Sequence, residues 1–251
     1  MTYSDKDVHE RIMREVLNVI NACADAPFVL KGGTALFLCY GLDRFSEDID
    51  LDAEPLDVNH SLLAAALAEY CSRSGYELIP RKDSETTQRY MLHYDGENYL
   101  KVEASYRIRK LDPASITSVN GIKVYTIDHL CELKCGAYAH RDKLRDLYDV
   151  TYICTMFHDR LGHAARSALS NALIYKGLDQ FDYLVATQSD PMIDVGLLET
   201  RFLESYEIMG VLREEQAWRP SEGAPEEPPE PPKQNPVGEQ APRTAARPHR
   251  L

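Results

Sequence analysis

Two acidic residues are spaced in a way that suits metal binding. Asp48 and Asp50 alternate with apolar residues in Asp48-Ile49-Asp50-Leu51. In a β-strand, alternate side chains project from the same face, so the two carboxylates would stand together with their Cα atoms about 6.5 Å apart. That spacing can bracket two Mg²⁺ ions about 3.5 to 4 Å apart. Because Mg²⁺ prefers one or two carboxylates completed by phosphates and waters, we predict a magnesium site here.

A glycine pair lies upstream of these carboxylates. Gly32 and Gly33 follow a short apolar strand, Phe28-Val29-Leu30, and Thr34 opens a short helix. Glycine lacks a Cβ atom, so backbone N–H groups can approach a polyphosphate closely. The positive end of the helix and the Thr34 hydroxyl also favour an anion. We therefore predict that Gly32, Gly33 and Thr34 bind the phosphates of a nucleoside triphosphate (NTP).

Two other interpretations of this stretch need no nucleotide. The glycine pair could be only a tight turn, with Asp48 and Asp50 as solvated strand residues. A calcium loop is a second possibility, because Asp48, Asp50 and Asp52 fall at alternate positions. The calcium loop fails in detail, since Ala53 stands where such a loop needs glycine and Asn59 where it needs a bidentate glutamate.

A third carboxylate is expected from another strand. In Leu100-Lys101-Val102-Glu103-Ala104, the apolar side chains share one face and Lys101 and Glu103 share the other. If this strand neighbours the strand of Asp48 and Asp50, Glu103 becomes a third metal ligand and can assist an attacking hydroxyl. Lysine and glutamate are also ordinary on an exposed strand face, so this motif alone is a weak signal.

The next candidates lie on two helices. Thr126 is a predicted N-cap, and the helix after it carries Lys134 among apolar neighbours, where a cation needs an anionic partner. A triphosphate would serve, and so would Asp146 or Asp149. Arg145 and Asp149 are spaced i,i+4 and could form a simple surface ion pair. Spacing does not decide between these roles.

The pattern of elements predicts an α+β fold, with a mixed-sheet domain followed by a mainly helical C-terminal domain. The domain boundaries are predicted at residues 1–125, 126–219 and 220–251, the last being a proline-rich tail that we expect to be disordered. Helices are expected over 5–24, 59–74, 142–157, 164–175, 181–186 and 195–218, strands over 28–30, 48–51, 76–80, 88–94 and 99–105, and a hairpin over 116–125.

Composition limits the class of protein. The chain has 251 residues, 44% hydrophobic and 27% charged, which is enough for a large core. No signal peptide and no apolar run of membrane-spanning length is evident, so we expect a cytoplasmic protein with no membrane partner. A net charge of −12 argues against a protein that coats nucleic acid. Residues 101–145 nevertheless hold nine basic residues against five acidic ones, either a phosphate-binding patch or solvated charges.

The motifs LKGGTAL and RFSEDIDL resemble the DNA polymerase β-like nucleotidyltransferase superfamily, and in their fuller form the AbiEii/MenT family of bacterial toxins. The similarity extends over about residues 10–210. It implies a Mg²⁺-dependent nucleotidyltransferase with an NTP substrate, tRNA 3′ ends as acceptor, a cognate antitoxin encoded by a neighbouring gene, and a role as a toxin or in abortive-infection phage defence. It places Glu103 in the metal site, Lys134 on the nucleotide and Asp146 in the catalytic site.

Two other functional classes stay open. An enzyme of the same fold could transfer a nucleotide to a protein or to a small hydroxylated molecule. Alternatively, the chain could be a catalytically silent module that binds a partner. The intact pair Asp48 and Asp50 argues against the silent module.

Overall fold

The computed structural model describes residues 3–211, except Ala24 and Ala26. Within them, helices and strands follow one another as α1 (Tyr3–Asn21), β1 (Val29–Lys31), α2 (Gly32–Tyr40), β2 (Asp48–Asp52), α3 (Asp57–Ser74), β3 (Glu77–Ser84), β4 (Thr87–Asp95), β5 (Asn98–Ser105), β6 (Ile116–Val119), β7 (Ile122–Tyr125), α4 (Ile127–His140), α5 (Leu144–Phe157), α6 (His163–Thr187) and α7 (Val195–Ile208). The α+β fold class is confirmed.

One mixed sheet of seven strands organises the fold, in the order β3-β4-β5-β2-β1-β7-β6. The acidic strand β2 lies in its middle, antiparallel to β1 and parallel to β5. Ile49 and Leu51 of β2 and Val102 and Ala104 of β5 are buried, as the apolar alternation predicted. The expected neighbourhood of the two strands is thereby confirmed, and their polar residues share the opposite face.

The helices pack in two groups. Helices α1 and α3 contact each other and the sheet, whereas α2 packs on β1, β2, β7 and α4. Helix α4 then contacts α5 and α6, and α5 contacts α7. Along the chain, β7 is the last strand of the sheet and directly precedes α4. The division into domains at residues 125 and 219 stays a prediction. No helix of the described residues is long and apolar enough to cross a membrane.

Several element boundaries differ from the expectation for physical reasons. Strand β3 continues past Pro80 to Ser84, with a register shift between Pro80 and Lys82. Proline is tolerated in β3 because an edge strand has outward N–H groups that need no partner. The two helices expected at residues 164–186 are the two halves of α6, which breaks at Gly177 with φ of 61°. Helix α7 ends at Ile208. The predicted extension to residue 218 and the proline-rich tail lie outside the described residues.

Candidate active site

Strand register places the predicted carboxylates side by side. Asp50 of β2 is the direct partner of Glu103 on β5, and Asp48 is the partner of Lys101. Direct partners in neighbouring strands project from the same face. Asp48, Asp50, Lys101 and Glu103 therefore form a compact charged group at the centre of the sheet. The structure thus brings together the three carboxylates that the sequence singled out.

Asp50 differs from its acidic neighbours because it has no partner. Its side chain forms no ion pair and no hydrogen bond with any residue that the structure describes. Burial raises the pKa of the Asp50 carboxyl; Lys101 works against this, while the charges of Asp48 and Glu103 add to it. An ionised Asp50 is therefore poorly compensated by the protein itself. A bound cation would supply the missing charge.

The other two carboxylates are already paired. Asp48 Oδ2 lies 2.6 Å from Lys101 Nζ, and both side chains are partly exposed. Glu103 Oε2 accepts a hydrogen bond of 2.6 Å from Nε of Arg89 on β4. Both ion pairs face solvent, where such pairs contribute little to stability and exchange readily for other ligands. The pairs hold the two carboxylates in place beside Asp50 without burying them.

The glycine pair makes room for this group at the start of α2. Gly32 has φ of +77°, and a Cβ atom there would lie 3.3 Å from Asp50 Oδ2. A Cβ atom at Gly33 would lie 2.8 Å from Nη2 of Arg44 and 3.0 Å from Oγ of Ser46. A side chain at position 33 would therefore displace Arg44. Gly32 is therefore required by its backbone conformation and Gly33 by space, independently of any ligand.

Thr34 is buried, and its hydroxyl forms hydrogen bonds with other groups of the protein. The hydroxyl donates a hydrogen bond to the carbonyl oxygen of Asp48 and lies 2.8 Å from Oγ of Ser46. This contact ties the beginning of α2 to the beginning of β2. The side chain thus positions the strand of the carboxylates, while the backbone of residues 32–34 remains the part that can meet a phosphate.

Asp149 on α5 binds two cations on the helical side of the site, which faces the sheet across a cleft and is called the helical wall below. Its side chain is completely buried and accepts two hydrogen bonds of 2.7 Å from Arg44. Nζ of Lys134 lies 2.5 Å from the same carboxylate. Burial alone would raise the pKa of Asp149, but the charges of Lys134 and Arg44 outweigh it and hold the pKa below its usual value. The buried carboxylate therefore fixes two cations at the cleft.

Asp146 lies one helical turn before Asp149 and is also buried. It accepts hydrogen bonds of 2.6 and 2.9 Å from Arg141, and Nζ of Lys134 is 4.0 Å away. Arg145 does not pair with Asp149, the i,i+4 partner that the spacing allowed. Instead it bonds to Asp190, after α6, and lies 3.6 Å from Glu47. Asp146 thus orients cations of the wall.

A cleft of about 480 Å³ separates the sheet from this wall. One side carries the carboxylates of Asp48 and Asp50, and the other side carries the helical cations. Five of the nine basic residues in the segment 101–145 line it, namely Lys101, Lys134, Arg141, Lys143 and Arg145. Among them, Lys143 is exposed and has no carboxylate partner within the described chain. The cleft is therefore lined by the carboxylates of Asp48 and Asp50, by Gly33 in the glycine corner (residues 32 and 33 at the start of α2) and by the basic residues of the helical wall.

A comparison with protein families gives this arrangement its context. The model of the family described as "Nucleotidyl transferase AbiEii toxin, Type IV TA system" matches residues 20–234. The chain belongs to the AbiEii nucleotidyltransferase toxin family. It is therefore a nucleotidyltransferase with an NTP substrate, and the type IV toxin–antitoxin assignment of the AbiEii family implies an antitoxin partner. The resemblance seen in the two sequence motifs is confirmed.

Solved structures from Helicobacter pylori share the fold of this AbiEii-family chain. JHP933 from Helicobacter pylori superposes with a TM-score of 0.65 at 23% identity, over 86% of this chain and 97% of that one. A second Helicobacter pylori protein, a suspected nucleotidyltransferase, gives 0.66 at 24% identity, over 86% and 98%. MenT4, a nucleotidyltransferase toxin from Mycobacterium tuberculosis, gives 0.49 at 17% identity, over 85% and 87%. A comparison with curated proteins found no match.

The donor atoms of this AbiEii-family site suit a divalent cation. Among the described residues, no three His, Cys, Asp or Glu side chains already form a metal cluster. The carboxylate oxygens of Asp48 and Asp50 are nevertheless the hard donors that Mg²⁺ prefers when phosphates and waters complete its shell. The unpartnered carboxylate of Asp50 is the observation that fits best, because a cation would remove its electrostatic cost.

Some residues of the AbiEii-family cleft were not expected from the sequence. Arg44 was not singled out as a site residue, and Asp149 was considered only as a possible ion-pair partner of Lys134 or Arg145. Their bidentate contact joins positions 105 residues apart. The segment Gln188-Ser189-Asp190 also lines the cleft, and the Gln188 side chain accepts a hydrogen bond from Leu144 N. An arginine inside the motif RFSEDIDL was the only available signal for the first of these contacts.

Proposed function

We propose that this enzyme is a Mg²⁺-dependent toxin that transfers a nucleotide from an NTP to the 3′ end of tRNA. The observation that carries the proposal is the unpartnered carboxylate of Asp50, in register with Glu103 and facing a wall of cations. Metal-binding acids and phosphate-binding cations on two sides of one cleft are what in-line nucleotidyl transfer requires.

Asp48 and Asp50 would hold Mg²⁺, which supplies Lewis-acid stabilisation of the triphosphate and of the attacking oxygen. Glu103 lies beside Asp50 on the neighbouring strand β5, and we assign it to the acceptor side of the metal site. There it orients the acceptor hydroxyl and receives its proton. The freed oxygen attacks the α-phosphorus, the bond to the β-phosphate breaks, and pyrophosphate leaves.

The phosphates would lie between the glycine corner and the helical wall. The backbone of Gly32, Gly33 and Thr34 meets them at the start of α2, where N–H groups point outward. Lys134 is held at the cleft by Asp149, so its charge is in place before substrate arrives. It balances the charge that develops on the departing pyrophosphate. Asp146 contributes by holding Arg141 on the same wall.

RNA is the favoured acceptor because the cleft concentrates cations in an otherwise acidic chain. Six basic residues line it against five acidic ones, although the net charge of the chain is −12. A polyanionic acceptor is attracted to such a local field more than a neutral small molecule is. Modification of tRNA would halt translation, which accounts for toxicity and for a role in phage defence. The antitoxin of the same system would then limit this activity.

The test is a matrix of labelled NTPs against total tRNA, protein and small hydroxylated acceptors, with and without Mg²⁺. The proposal requires label on tRNA that depends on Mg²⁺ and disappears in Asp50→Asn. The matched control is Asp159→Asn, a fully exposed carboxylate in the turn after α5 that does not line the cleft, which should leave transfer unchanged. Label on protein or on a small acceptor in place of tRNA would overturn the choice of acceptor. Transfer that persists in Asp50→Asn would overturn the site.

A further inference from the structure

The charged row of the active site continues across the sheet. Asp50 pairs with Glu103, Glu103 with Arg89 of β4, and Arg89 with Lys82 of β3, all in direct register. Residues in direct register share one face of a sheet. The carboxylates are therefore joined, without a gap, to two cations on the outer strands.

The neighbouring rows of side chains on the same face of the sheet carry apolar and aromatic groups. Lys101, beside Asp48, is the partner of Met91 on β4. Beyond them, His93 and Tyr99 are direct partners whose ring centroids lie 5.5 Å apart. Tyr99 is 46% exposed. We call the face formed by Lys82, Arg89, Met91, His93, Tyr99 and Lys101 the open sheet face.

The two faces of these outer strands are covered to different degrees. Leu92, Leu100, Val102 and Ala104 point the other way and are completely buried. On the open sheet face, Arg89 keeps 42% of its side-chain surface exposed and Lys101 keeps 28%. The open sheet face thus offers aromatic, apolar and cationic groups to solvent, next to the reacting atoms.

We propose that the open sheet face binds the single-stranded 3′ end of the acceptor RNA. This inference rests on the proposed function and names where its acceptor lies. Single strands are held without sequence readout by aromatic side chains that stack bases and by cations along the backbone. A sheet whose surface aromatics stack two or three bases is a known solution to this task. Tyr99 would stack a base, while Arg89 and Lys82 contact phosphates.

The geometry matches a strand whose terminal hydroxyl reaches the metal-binding acids. Tyr99 and Glu103 lie on β5 four residues apart, so about 13 Å separates them along the strand. The RNA end would lie at Glu103 and the preceding nucleotides would extend toward Tyr99. Arg89 and Lys82 lie beside the Glu103 end of this path and Lys101 lies on it, and the continuity with the carboxylate row requires no rearrangement of the sheet.

The exposed aromatic residues of α6 provide a matched control. Tyr175 is 84% exposed, more than Tyr99, but it is on helix α6 and borders an apolar hollow beside α4. It has no in-register connection to the carboxylates. Exposure alone would make Tyr175 the better stacking residue, whereas continuity with the active site selects Tyr99.

The experiment measures binding of a fluorescent single-stranded RNA oligonucleotide by anisotropy, alongside binding of an NTP. Tyr99→Ala should raise the Kd for RNA roughly 5- to 150-fold, the range for loss of one stacked base, with NTP binding unchanged. Tyr99→Phe should restore RNA binding because the ring is kept. Tyr175→Ala should bind like the wild type. Lys82→Ala should reduce the slope of log Kd against log salt by about 0.7, for one lost phosphate contact.

Two results would overturn the inference. The first is RNA binding by Tyr99→Ala that equals the wild type; the second is an equal loss in Tyr175→Ala. If the wild type still labels RNA in either case, the proposed function stands and only the binding surface is wrong. If the wild type labels only protein or small hydroxylated acceptors, both the acceptor and this surface are wrong.

Discussion

Two carboxylates on opposite sides of the cleft differ in whether the protein compensates their charge. Asp149, on the helical wall, is completely buried and bound by Arg44 and Lys134, which hold its pKa below the usual value. Asp50, on the sheet, has no partner among the described residues, and burial raises its pKa. The charges of the wall are therefore balanced without a ligand, whereas the sheet side leaves the Asp50 carboxylate without a cation of its own.

The difference separates a structural role from a chemical one. A buried carboxylate with two cations contributes to the rigidity of the site, and breaking such a group is strongly destabilising. A carboxylate that the protein leaves uncompensated contributes nothing to folding and is kept for a ligand. Substitutions on the two sides should consequently be distinguished by whether stability or activity changes.

The largest change in stability is expected for Asp149→Asn. Removing the carboxylate leaves the buried Arg44 without its ion-pair partner and leaves Lys134 with only the more distant Asp146, so the free energy of unfolding should fall by about 3 to 5 kcal/mol. Urea unfolding followed by circular dichroism measures this. Asp159→Asn, in which the lost carboxylate is fully exposed, should change little. A fall of less than about 1 kcal/mol in Asp149→Asn would show that its contacts with Arg44 and Lys134 do not stabilise the fold.

Asp50→Asn should have the opposite profile. Nucleotidyl transfer is expected to fall by about 10²- to 10³-fold or more, as for loss of a main electrostatic group in a catalytic site. The free energy of unfolding should stay the same or rise slightly, since an uncompensated charge is removed. Transfer rates and urea unfolding on the same preparation test the pair of effects. A destabilised variant would place Asp50 in the structural class with Asp149.

The pH dependence of stability should follow the lowered pKa of Asp149. A carboxyl whose folded pKa is depressed contributes stability above its unfolded pKa, and this contribution is lost as pH falls through the folded pKa. The stability difference between the wild type and Asp149→Asn should be full at neutral pH and shrink below about pH 4, near the ordinary value of 3.8. The loss is limited to about 1.4 kcal/mol per pH unit. A difference that is constant with pH would contradict the ion pair.

The smallest effect is expected at Lys143. It lines the cleft but is exposed and without a carboxylate partner in the described structure, so Lys143→Ala should alter the free energy of unfolding by less than about 0.5 kcal/mol. Its charge is free for a substrate, and KM for the NTP should rise a few-fold. Steady-state kinetics at low salt measure this change. A destabilised Lys143→Ala would show that the residue has a structural partner.

The sheet side of the site could be predicted because its signals are local. Alternation of Asp48 and Asp50 with apolar residues indicated the strand, and the same alternation at Lys101 and Glu103 indicated which face would meet them. Period-two patterning fixes which side chains share a face once two strands are neighbours. The hairpin over 116–125 was predicted from a local signal too, since its turn residues Asn120 and Gly121 are typical of a two-residue turn and both adopt positive φ values.

The helical wall could not be predicted in the same way. Arg44 and Asp149 meet across 105 positions, and no periodicity connects a loop residue to a helix that packs on it later. Spacing allowed the pair Arg145 and Asp149 without deciding for it, and in the folded chain Arg145 pairs with Asp190 and Asp149 with Arg44. Thr34 has a helix-start position that suggests an anion, but burial turns its hydroxyl to the Asp48 carbonyl. Tertiary contacts decided these cases.

The central claim is that Asp50 and Asp48 bind Mg²⁺ together with a nucleotide. The most direct test is the melting temperature of the wild type and of Asp50→Asn, each with Mg²⁺ and NTP added singly and together. At ligand concentrations about 100 times Kd, linkage stabilises the folded state by about 2.7 kcal/mol, a rise of roughly 5 to 10 °C. We expect this rise for the wild type with both ligands and its absence in Asp50→Asn. An equal rise in both proteins, or none in the wild type, would contradict the account.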